Sequence, residues 1–242
     1  MPNLNINLED VAALRLPSGT IADISALSSK YGVDFAELLT IYCIENQFFP
    51  SKIYGLSQAE IEQKFILDYK DIRKKYKTRA LKPYKDMFNL LLSEIKAFPV
   101  SEQEPSAELP YIYGDGWGTS RAASGCDITD RENIKGRLLI NSMTDGTIES
   151  LLNTETGGYT ASVRTDNGTV YTYAHLERYA DGLAVNEKVF AGAFLGYMGN
   201  SGKLKDTALK QPVHLNVTIF VKFTKKKFYI NPYPFLRYVE NI

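Results

Sequence analysis

Two periodicities divide the chain. In the first hundred residues apolar side chains recur every three or four positions. Ile61, Phe65, Tyr69, Ile72 and Tyr76 make one such stripe, and Leu81, Tyr84, Phe88, Leu91, Ile95 and Phe98 make another. That spacing collects each set on one face of a helix. Leu38, Leu39, Tyr42 and Cys43 form a shorter stripe, in which Cys43 is a small buried hydrophobe. Asp34 with Glu37, and Ser57 with Glu60, have the spacing of capping boxes, whose side chains satisfy backbone N–H groups of a first helical turn. Three or four helices are predicted.

At Phe98-Pro99-Val100 this pattern stops, and Ser101 to Pro110 is polar with two prolines, which predicts a linker. Beyond it lie short runs of β-branched and aromatic residues punctuated by glycine. Residues 158–165 and 169–176 read as two strands around Asp166-Asn167-Gly168, where Asn-Gly is expected to supply the positive φ angles of a tight hairpin. The segment PVHLNVTI, Pro212 to Ile219, alternates strictly. Val213, Leu215, Val217 and Ile219 share a core face, and His214, Asn216 and Thr218 share the other. That second face is either an ordinary solvated one or half of a site. The expected fold is α+β: a helical N-terminal region, residues 1–104, then an all-β antiparallel domain, residues 105–242.

Composition narrows the functions. Among 242 residues, 28 Lys and Arg balance 28 Asp and Glu, so no global charge points to nucleic acid. Lys225-Lys226-Lys227 is too short to change that, and reads as a solvated hairpin or loop. No apolar run approaches the roughly 18 to 20 residues of a membrane span. The first 25 residues lack the charged start, apolar run and small-residue cleavage site of an export signal. The two cysteines, Cys43 and Cys126, lie far apart without metal or redox spacing.

The chain has two histidines, His175 in YAHL and His214 in PVHLNV, both on predicted strands. A lone strand histidine is more often packed than catalytic. From Trp117 to Tyr233, however, the order WGTSR, SGCDI, SMTDGTIES, TVYTYAHL, AGAFLGYMGNSG, PVHLNV and NPYPFLR resembles the lysostaphin-type peptidoglycan endopeptidases, zinc enzymes of the duplicated hybrid motif. The resemblance implies a cell-envelope or extracellular setting. In that family the histidine and aspartate of HxGxD and the second histidine of HxH bind zinc, while the first histidine of HxH and that of YxHL assist the reaction.

Carried over, Asp127 matches the aspartate ligand, His175 the YxHL histidine and His214 the first of HxH. Two positions depart: Ala123 stands in place of the first ligand histidine and Asn216 in place of the last. A catalytic zinc takes three protein ligands of His, Asp, Glu or Cys type, and neither alanine nor an amide replaces imidazole. The resemblance therefore implies a degenerate member with no cofactor, its groove, with Trp117, Arg121 and Tyr173 as candidate walls, binding a peptidoglycan peptide or a protein partner. Zinc enters only if Asp127, His175 and His214 form a rearranged ligand set in an active endopeptidase. A third reading places function in the helical half, as an interaction protein. Cys126, next to Asp127 on a strand, is expected to face the core.

Overall fold

The computed structural model describes residues 6–46, 56–67, 69–103, 107–117, 124–202, 211–223 and 225–240. Helices α1 (Leu8–Ala13), α2 (Thr20–Tyr31), α3 (Phe35–Glu45), α4 (Gln58–Ile61), α5 (Tyr69–Lys75) and α6 (Thr78–Glu94) come first, with a π-helical turn, Glu62–Ile66, continuing α4. Strands follow: β1 (Val100–Glu102), β2 (Tyr111–Tyr113), β3 (Cys126–Asp130), β4 (Leu138–Asn141), β5 (Gly146–Thr154), β6 (Gly158–Arg164), β7 (Val170–Tyr179), β8 (Lys188–Val189), β9 (Phe194–Met198), β10 (His214–Phe223) and β11 (Lys226–Ile230). A last helix, α7 (Tyr233–Val239), closes the order. The fold is α+β, in line with the two periodicities.

Two compact units result, one comprising Met1–Ser93, Phe223–Lys226 and Pro234–Ile242, the other Glu94–Lys222 and Lys227–Tyr233. In the helical unit, Ser57 and Glu60 form a complete capping box at α4, and the Asp34 carboxylate caps α3 by accepting from the Glu37 N–H. The core gathers the expected stripes: Leu38, Leu39, Tyr42, Cys43, Phe65 and Phe88 are buried, with Tyr42 and Phe65 in ring contact. Glu37 crosslinks the helices by accepting from Tyr69 (2.7 Å) and Arg73 (2.6 Å).

In the β unit the strands pair antiparallel in the order β1-β4-β9-β7-β10-β3-β2, with β11 on β10 and the β5–β6 hairpin continuing from β7. The expected linker starts as strand β1: Val100 to Glu102 pairs with β4, and the Asn141 amide donates to the Ser101 hydroxyl. Its polar side chains suit an edge strand with only one partner. The 165–169 turn also departs from the expected tight hairpin. Only Gly168 has positive φ (85°), and Thr165 and Thr169 close a longer loop by backbone pairing. The carboxylate of Glu94, buried at the end of α6, accepts from Thr165, Asn167 and Tyr171 across this loop.

Candidate functional site

Strand β10 lies between β3 and β7. Its Asn216 is opposite Asp127 on one side and opposite Ala174 on the other. Directly opposed residues put their side chains on one face of a sheet, so this register brings Asp127, His214 and Asn216 together. On the reverse face Val213, Leu215, Val217 and Ile219 are buried, as strict alternation requires. Cys126 is buried there too, and burial pushes its thiol well above the ordinary range.

His175 joins the face by a different device. Regular alternation on β7 would set it beside Tyr171 and Tyr173, both fully buried. Instead the burial phase flips at Ala174, which is buried directly after Tyr173, and Leu176 takes the next core position. Here β7 carries one residue more than β6, and His175 adopts φ 67°, in the left-handed region that a side chain disfavours. Its N–H donates to the Gly157 carbonyl. The bulge thus rotates the imidazole out of the core and onto the face of His214.

The two rings are 4.4 Å apart between centroids, inclined by 35°. Nδ1 of His175 lies 2.8 Å from the Ser201 carbonyl, and Nδ1 of His214 lies 2.8 Å from the Pro212 carbonyl. A carbonyl only accepts, so each Nδ1 carries the proton and each Nε2 is left with a lone pair. Burial, then the neighbouring His214, hold the His175 pKa below its usual value, with Ser201 and Asp127 opposing. Asn216 Nδ2 donates to Asp127 Oδ1 at 2.7 Å. Gly125 makes room for this pair, because a Cβ there would meet the Val217 carbonyl at 2.7 Å and the Asn216 amide at 2.9 Å.

The surrounding frame was not legible at the level of single residues. The buried Asp130 carboxylate takes N–H groups of Glu132 and Ile134 and the guanidinium of Arg137, which fixes the turn after β3. In that turn Asn133 accepts from the Val213 N–H, at the entry to His214. The run Asp130-Arg131-Glu132-Asn133 does carry a turn signal, two Asx side chains in a polar stretch. Ser201 belongs to this frame, its hydroxyl donating to the Leu176 carbonyl and accepting from the Tyr159 N–H.

Of the residues singled out from sequence, Asp127, His175, His214 and Asn216 converge. Tyr173, taken as a groove wall, is instead fully buried, its hydroxyl accepting from the Met143 N–H. The physical reason is the bulge, which parts Tyr173 from His175 although they stand two apart. Trp117 is half-buried just beyond β2, its main-chain N–H donating to the Asp115 carboxylate. Arg121 and Ala123 lie outside the described residues. Among the described residues, no three His, Cys, Asp or Glu side chains are grouped so as to hold a metal ion.

Residues 122–232 match Peptidase family M23. Over 130 residues the chain is 30% identical to the L-Ala--D-Glu endopeptidase of Bacillus subtilis (strain 168), a stretch covering 52% of this chain and 40% of that protein. The chain therefore spans less than half the length of that curated relative. A crystal structure assigned as the glycyl-glycine endopeptidase lytM of Ruminococcus gnavus ATCC 29149 matches over 99% of this chain and 93% of its own, with a TM-score of 0.72 and 26% identity. Lysostaphin of Staphylococcus simulans matches over 54% of this chain and 50% of its own, at 23% identity and a TM-score of 0.43.

Proposed function

We propose, from the match of residues 122–232 to Peptidase family M23, that the β unit binds a peptidoglycan peptide in its inherited groove without cutting it. The observation that carries this reading is the hydrogen bond from Asn216 to Asp127. The family's chemistry is zinc-dependent, and zinc needs three strong donors of which the aspartate would be one. Here that aspartate's Oδ1 already accepts the Asn216 N–H, and the amide, standing where a ligand is needed, offers only a neutral oxygen, a poor partner for zinc. Each missing ligand removes several kcal/mol from the roughly 10 to 16 that a well-formed site supplies. This donor set does not fit a catalytic zinc centre.

The retained histidine pair supports a binding role. Both rings are anchored through Nδ1 to main-chain carbonyls, independently of any ion. A zymogram with purified cell wall tests the reading. The wild-type chain is expected to leave the wall intact with or without added zinc while co-sedimenting with it. Clearing that a chelator abolishes would overturn the proposal and favour an active enzyme ligated by Asp127, His175 and His214. The double substitution Ala123→His and Asn216→His is expected to take up one zinc, where the parent takes up none.

A further inference from the structure

Among the described side chains that converge here, Asp127, Asn216, His175 and His214, acceptors predominate. The Asp127 carboxylate has about four lone-pair sites, of which the Asn216 N–H uses one. With Nδ2 turned to Asp127, the Asn216 oxygen remains an acceptor. Both imidazoles present a bare Nε2, because Nδ1 of each is spent on a carbonyl. One full negative charge and several scattered acceptors on three adjacent strands define a site for a cation that brings its own N–H donors.

We propose that this face binds a primary ammonium group, the terminal or side-chain amine of an extended peptide. The proposal rests on the binding role given above and specifies its ligand. An ammonium carries three donors and no acceptor, and its N–H···O bonds run about 2.7–2.9 Å, much longer than the roughly 2.0–2.1 Å of zinc to nitrogen. It therefore tolerates the wider, weaker acceptor set that zinc does not. A guanidinium is a worse fit, since its planar fork favours a carboxylate with both oxygens free, whereas Asp127 Oδ1 is already engaged. The attraction gains from partial burial: Asp127, His175 and Asn216 are half-buried and His214 is buried.

The two histidines are the only ones in the chain, so their ring C–H resonances report on this site and nothing else. The test is a titration of the ¹³C-labelled protein at pH 7.5 with EDTA present. The probes are triglycine amide, which carries an α-ammonium, and Nα-acetyl-lysine amide, which carries a side-chain ammonium. N-acetyl-triglycine amide, without the charge, and tetramethylammonium, a cation without N–H donors, are the controls. At least one ammonium probe is expected to shift both histidine signals saturably, and whichever does so identifies the source of the amine. Asp127→Asn should weaken that binding tenfold or more. Equal shifts with the acetylated peptide or with tetramethylammonium, or no shift with either ammonium probe, would overturn the proposal. Co-sedimentation with purified cell wall, measured in parallel, separates the two ideas: binding to the wall without an ammonium response removes only the ammonium assignment. The wild-type comparison does not depend on the variant folding.

Discussion

At the scale of single residues, His175 concentrates the chemistry and its cost. A non-glycine residue in the left-handed region loses about 1 kcal/mol or more against glycine, which adopts that backbone freely. His175→Gly is therefore expected to be more stable than His175→Ala by about 1 kcal/mol, a gap of a few degrees in melting temperature. The same melts carry a pH signature. Burial and the adjacent His214 lower the His175 pKa, while Asp127 opposes them. As pH falls below the ordinary value of 6.5, the unfolded chain takes up this proton before the folded one does. Wild-type stability should rise with pH across the window just below 6.5 and level off above it, and His175→Gly should lack that component. Identical pH slopes in both proteins would show that the imbalance is absent. This residue also marks the limit of reading a strand by alternation. His214 and Asn216 were legible as face-sharing neighbours, but alternation puts His175 in the core with Tyr173, and only a bulge, which sequence spacing does not announce, brings it out.

Among elements, capped and amphipathic helices were the most legible. The Ser57 box and the Asp34 cap rest on local hydrogen bonds, which need no knowledge of the rest of the molecule, whereas the Glu37 side chain that would complete a box at Asp34 is taken instead by Tyr69 and Arg73. Helix α2 begins at Gly19, which offers no side-chain cap, so it left no comparable mark. β1 was hidden because its residues look like linker and become a strand only through pairing with β4. The β6–β7 turn owes its shape to a distant residue. Glu94 gathers Thr165 (2.7 Å), Asn167 (3.1 Å) and Tyr171 (3.2 Å), more than seventy positions later in the chain. Glu94→Ala strands buried donors and is expected to cost roughly 2–4 kcal/mol in chemical denaturation. The histidine resonances of the folded variant should stay in place, because the turn lies at the opening of β7 and the bulge lies further along it. A shift of both signals would show instead that the turn and the site are coupled.

For the molecule as a whole, the division into units does not follow chain order. The helical unit holds both the first 93 residues and the segment Pro234–Ile242, so the β unit is inserted within it. Phe235, Leu236 and Val239 of α7 are buried. A fragment comprising residues 94–242 is expected to expose them and to bind a hydrophobic dye. A fragment ending at 233 should bind less dye and keep the two histidine signals of the full chain. Equal dye binding by both would mean that α7 finds no apolar partners among the helices.

The insertion also orders events at the ribosome. Synthesis proceeds at about 5–20 residues per second, and domains generally fold as they emerge. The strands of the β unit are all made before α7 leaves the exit tunnel, whereas helices α1 to α6 wait for α7 to complete their unit. The nascent chain thus completes its sheet while the earlier helices still lack α7, so their apolar faces stay uncovered for longest during synthesis.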